Sequence, residues 1–205
     1  MINIQVKIST LLLFCLLIIA NRISAQYVNY GQESTRIKWQ IIETDHYKII
    51  FPEGSDYQGQ RVAGLLNNAY PLTGKTLGHN HKKWDVVLHP NSSTGLAFVF
   101  PTPRRSEWIT MQNQSSTCLE RLNLLTVHET RHMVQQSLVE SEMPQIFKYL
   151  LGQHAAPVII GAYLPFWYME GDATCNESAL TPTGSGRSPE FFMANRALLV
   201  EGEPY

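Results

Sequence analysis

Residues 119–139 contain no Gly or Pro, and they place Leu122, Leu125, Val127, Met133 and Val134 along an apolar stripe. That spacing predicts one uninterrupted helix. Within it lies His128-Glu129-Thr130-Arg131-His132, an H-E-x-x-H pattern. Residues i and i+4 share a helical face, so both imidazoles can reach one ion at the roughly 2.0–2.1 Å of a zinc–nitrogen bond. Glu129 projects beside them and can accept a proton from water without being a ligand. If the motif binds a metal, the fold must bring a further ligand to this helix.

The first 25 residues form a separate segment. Lys7 precedes an apolar run from Ile8 to Ala20, and Asn21-Arg22-Ile23-Ser24-Ala25 follows. A basic start, a short apolar run and small residues before Gln26 read as a secretory signal peptide at 1–25. The expected location is outside the cytoplasm: periplasmic, secreted or on the outer surface. The chain has 205 residues and a net charge of −1, and loss of Lys7 and Arg22 makes the mature chain more acidic. That balance offers no basic footprint for nucleic acid, so no nucleic-acid partner is expected. Two cysteines remain, Cys118 and Cys175, and their spacing leaves one disulfide and two free thiols equally open.

Residues 26–36 read as a lead-in to a domain over 37–205. Alternation predicts two strands within 37–51 around Thr44-Asp45-His46. A helix follows over 56–77, which Pro71 should end or kink. Three strands follow, over 83–89, 96–100 and 107–111, the last a candidate edge for an extended peptide or, equally, a buried structural strand. His79, His81 and His89 lack ligand-spaced partners and read as surface. Trp39, Trp84, Trp108 and Trp167 read as core and edge packing. Helices are expected over 119–139, 144–152, 165–179 and 189–201, the last two opened by Pro165 and Pro189. Strands before helices argue an α+β domain with a small mixed or antiparallel sheet and a helical half carrying the motif.

A catalytic zinc takes three protein ligands and keeps one position open. Leu138 and Gln135 stand where a metzincin has its third His and its Gly, so that arrangement fails. Glu140 and Glu142 sit two or more turns along the same helix, and His154 falls in a loop-like stretch. Glu170 opens a new helix after Pro165 and is the preferred third ligand. Its alternative role is an acid favouring the helix dipole. Asp172 is expected to accept the outer N–H of a ligand His. Arg131 is a charge inside the motif, with Asp172 or Glu177 as expected partner.

His128–His132 followed by Trp167-Tyr168-Met169-Glu170-Gly171-Asp172-Ala173 resembles the gluzincin metallopeptidases, whose second helix carries Glu-Gly and, one residue later, Ala. The closer likeness is to the peptidase-MA-like group of exported bacterial proteins. It implies a zincin-like catalytic domain in which His128, His132 and Glu170 bind Zn2+ and Glu129 is the general base. The implied activity is endopeptidase-like hydrolysis of a peptide or protein substrate. The alternative is a catalytically weak or inactive binding module of a larger cell-envelope protein. In that group a β-propeller often follows, so the stop at Tyr205 is expected to mark a truncated domain with envelope partners or a missing C-terminal domain. The Gly-x-Met-Glu-Asn segment that recognises a free N-terminus is absent, which gives exopeptidase action no support. Tyr163, Tyr168 and His154 are the stand-ins for the group that stabilises the oxyanion.

Overall fold

The structure is a computed structural model that describes residues 33–34, 36–92, 96–110 and 121–202. The signal segment, most of the lead-in, Met111 and Cys118 lie outside the described residues. Cys175 is exposed and unbridged. Among the described residues no helix is long and apolar enough to cross a membrane.

Strands β1 (Trp39–Glu43) and β2 (Tyr47–Pro52) form an antiparallel hairpin. Its turn is closed by Thr44, whose Oγ1 accepts the Tyr47 N–H at 3.1 Å. β2 then puts Tyr47, Ile49 and Phe51 on one buried face. Helix α1 (Asp56–Thr73) covers that face with Val62, Ala63 and Leu66. Gly59 permits the contact: a Cβ there would sit 2.6 Å from the Phe51 ring. Pro71 does not end α1. It lies on the solvent side, and so does Asn67, whose carbonyl loses the Pro71 N–H and is left open to water instead of stranded.

α1 is the crossover between β2 and the parallel strand β3 (Trp84–Leu88). β4 (Ala97–Pro101) and β5 (Arg104–Trp108) make a second antiparallel hairpin around Thr102-Pro103. The sheet order is β1-β2-β3-β5-β4, a mixed sheet in an α+β fold. Of the two readings of the strand over 107–111, the edge is corrected and the structural strand stands. β5 starts three residues before 107 and is interior, paired to both β3 and β4, and the edge is β4. Arg104 and Arg105 disguise the start of β5 because they read as loop. Each is paired instead, Arg104 with Glu140 at 2.5 Å and Arg105 with Glu107 at 2.6 Å.

Two further expectations fail on burial. His81 and His89 are both buried. The His81 Nδ1–H donates to the Lys82 carbonyl at 2.6 Å, so its Nε2 accepts the Tyr47 hydroxyl at 2.8 Å. Burial pushes its pKa down to about 4. His89 Nε2 meets Glu107 at 2.6 Å. Among the tryptophans, Trp84 and Trp108 are core, whereas Trp167 is 74% exposed.

Helix α2 (Arg121–Glu142) packs Met133 onto the same core as β2, β3 and α1. Then come α3 (Gln145–Leu151), α4 (Ala155–Tyr163), α5 (Phe166–Leu180) and α6 (Met193–Glu201). Pro144 and Pro165 precede α3 and α5 at their N-caps, but Pro189 opens a turn, and α6 begins at Met193. α4 was not expected from the sequence. Ala155 and Ala156 bury against Met143, which makes a small second core.

Candidate metal centre

From Thr126 to Ser137, α2 is buried at every residue except the half-buried His128. Yet this stretch carries His, Glu, Thr, Arg and Gln. Burying such groups is costly unless each finds a partner, so the local sequence dictates a polar network.

The network fixes the imidazoles. Gln135 Nε2 donates to the Met169 carbonyl at 3.0 Å and to Asp172 Oδ2 at 2.7 Å. Its Oε1 is therefore the atom that faces His132 Nδ1, at 2.8 Å. A carbonyl oxygen only accepts, so His132 carries its proton on Nδ1 and leaves the Nε2 lone pair free. His128 Nδ1 lies 2.9 Å from Glu177 Oε2. Burial works against ionising Glu177, but the His128 and Ser185 hydrogen bonds outweigh it and hold that carboxyl below the usual range. His128 Nδ1 is then also the donor, with Nε2 free.

The two free lone pairs face each other, with Nε2 to Nε2 at 3.1 Å. Glu170, from the first turn and a half of α5, reaches both: Oε2 is 3.3 Å from His128 Nε2 and Oε1 is 3.3 Å from His132 Nε2. Ligand atoms arranged tetrahedrally around an ion at 2.0–2.1 Å lie about 3.3–3.4 Å apart. Two imidazole lone pairs and a carboxylate at those separations repel one another without a positive charge between them. The donor set thus fits a metal ion, and His128, His132 and Glu170 could hold one. The electrostatics agree in direction. Burial opposes charge on His128, but Glu177, Glu129 and Glu170 together raise its pKa. The bond to His132, aided by His128, lowers that of Glu170.

Glu129 is 5% exposed, makes no ligand contact and lines the same cleft. Burial raises its pKa despite the two neighbouring imidazoles. Asp172 does not accept a histidine N–H as the sequence suggested. Its carboxylate receives a bidentate bond from Arg131, Nε at 2.6 Å and Nη2 at 2.7 Å, together with the Gln135 amide. It acts on His132 one residue removed, through Gln135, because the guanidinium fork claims both of its oxygens. Arg131 also donates Nη1 to the Thr73 carbonyl, 2.6 Å away at the end of α1. Of the two expected partners for Arg131, the structure places Asp172 against it.

The direct partner of His128 is Glu177, which the sequence reading weighed only for Arg131. Its signal was present: Glu177 stands seven residues, two helical turns, beyond Glu170. The loop after α5 holds it, with the Ser185 N–H donating to Glu177 Oε1 at 3.0 Å. Gly184 allows that approach, since a Cβ there would lie 2.2 Å from Ser178 Cα.

A cleft of about 390 Å³ lies beside the three ligands, between β4 (Ala97, Val99) and the start of α5 (Phe166, Met169). The Ile109 N–H donates to the Leu96 carbonyl at 2.9 Å. Antiparallel bonding alternates, so Phe98 and Phe100 turn their backbone groups to β5, while Ala97 and Val99 turn theirs outward. Tyr163, Tyr168 and His154 are exposed and do not line the cleft. Comparison with protein families, with curated proteins and with solved structures finds no match to this chain.

Proposed function

We propose that this chain is a zinc-dependent peptidase of gluzincin type that acts outside the cytoplasm. The observation that carries the reading is the convergence of one carboxylate with two lone-pair nitrogens, each imidazole oriented by its own hydrogen bond. Glu177 and Gln135 hold the imidazole rings in place. Arg131 and Asp172 tie α5, and with it Glu170, to α2 and to the end of α1. Zinc at such a site supplies Lewis acidity, lowering the pKa of water towards 7 and polarising a scissile carbonyl. Glu129 accepts the proton of the attacking water and passes it to the leaving amine. β4 lines the same cleft as the candidate ligands and offers an extended peptide the outward backbone groups of Ala97 and the N–H of Val99. The zincin-like architecture, the peptidase-MA-like assignment and export rest on the motif resemblance and on the signal-like segment at 1–25.

Metal analysis of the purified mature chain and a casein turnover assay test this. Near one zinc per chain, lost in His128→Ala, is expected, with turnover abolished in Glu129→Gln. Zinc far below one per chain and unchanged by His128→Ala ends the metal reading. Zinc at one per chain with equal turnover by both proteins, or with none, removes Glu129 catalysis. With none, the binding-module reading stands in its place.

A further inference from the structure

Gln136 follows His132 by one helical turn and lines the same cleft. It is 8% exposed. Its Nε2 donates to the Val99 carbonyl at 3.1 Å, which fixes the orientation of the amide and makes Oε1 an acceptor. That oxygen is buried and, among the described residues, has no hydrogen-bond partner. Leaving such a group without a donor is unfavourable, so the residue is built for a partner that arrives. The alternation along β4 indicates the kind of partner. Val99 is one of the two cleft-lining residues whose backbone groups face outward, and its carbonyl is already taken by Gln136. A strand laid along β4 therefore finds, among the described residues, no partner at Ala97 or at the Val99 N–H, but meets the Gln136 amide where it would have met the Val99 carbonyl. The side chain thus stands in for a peptide unit at the Val99 carbonyl.

We infer that Gln136 is a substrate-positioning residue: its Oε1 receives one backbone N–H of an extended polypeptide bound along β4 and so sets the register of that chain against the three ligands. This deepens the peptidase reading above and rests on it.

The test uses the zinc-loaded protein and a fluorescein-labelled tetrapeptide hydroxamate, together with analogues carrying a single backbone N-methyl group. The hydroxamate chelates zinc and fixes the register, and binding is read by fluorescence anisotropy. One analogue is expected to bind wild type about tenfold more weakly than the unmodified probe, as the loss of a hydrogen bond to a buried acceptor implies. In Gln136→Met the unmodified probe is expected to bind about tenfold more weakly, and the penalty for that one N-methyl group is expected to vanish. A purely structural role would weaken every probe alike and keep the penalty, which would overturn the inference. A flat N-methyl scan on wild type overturns it without any variant, and Gln136→Ala repeats the test should the Met variant fail to fold. If zinc is held at one per chain and no probe binds, the peptide reading itself falls and takes this inference with it.

Discussion

Arg131→Met tests the buried frame of the site. The guanidinium is 2% exposed and makes three hydrogen bonds, two to Asp172 and one to the Thr73 carbonyl. Hydrogen bonds to a charged group contribute about 1.5–3 kcal/mol each. Met recovers part of the apolar packing of the arginine stem, but it leaves the Asp172 carboxylate with only Gln135. Breaking a buried pair at one end typically costs about 3–5 kcal/mol, and the orphaned Asp172, 26% exposed, places this loss towards the lower end. For a domain of this size each kcal/mol lowers Tm by roughly 2–4 °C, so a fall of roughly 6–20 °C is expected. Calorimetry on the zinc-free protein, with urea unfolding alongside, measures it. The double variant Arg131→Met/Asp172→Leu is expected to recover a large part of the loss, since it removes the orphaned charge as well. A single variant that melts within about 2 °C of wild type, or a double variant whose loss equals the sum of the singles, would refute the argument that this pair ties the helices together.

Three other outcomes follow from the geometry. Glu177→Gln is expected to lower zinc affinity about 10- to 100-fold in a chelator-competition assay, because the amide no longer holds the His128 N–H with a charge. Gly184→Ala is expected to weaken zinc binding in the same assay, since its Cβ meets Ser178 Cα and moves Ser185 away from Glu177. His81 supplies the pH dependence. Its folded pKa, about 4, lies below the ordinary histidine value of 6.5. Folding therefore favours the neutral ring, and the stabilisation is complete above pH 6.5 and lost as pH falls towards 4. Unfolding free energy should drop by roughly 3 kcal/mol over that window in wild type compared with His81→Gln, by urea denaturation at several pH values. Parallel pH curves for the two proteins would remove His81 as the source.

The ligand helix was legible because periodicity and an i, i+4 spacing are properties of one segment. Glu170 was legible because Pro165 opens a helix just before it. What a single segment does not encode was read less well. β5 was misplaced because Arg104 and Arg105 look solvent-bound until Glu140 is brought across from α2 and strand geometry sets Glu107, two residues on, beside Arg105. His81 and His89 looked like surface residues for the same reason: their partners Tyr47 and Glu107 stand 34 and 18 residues away. Asp172 and Glu177 were both noticed, and Glu177 lies two helical turns beyond Glu170, but nothing local excludes Asp172 as the acceptor of a histidine N–H. That is decided by the Arg131 fork, which claims both oxygens of Asp172. α4 has few local signals beyond its apolar run, and it is fixed by the packing of Ala155 and Ala156 on Met143.

The bond from Arg131 to Thr73 joins the last turn of α1 to the interior of the ligand helix, across 58 residues of chain. A fragment beginning after β5 would contain every candidate ligand and yet lack that anchor, so the strand-bearing half works as a clamp on the helix that carries His128 and His132, and dividing the gene between the halves would yield a peptide with the complete motif on a loosened helix.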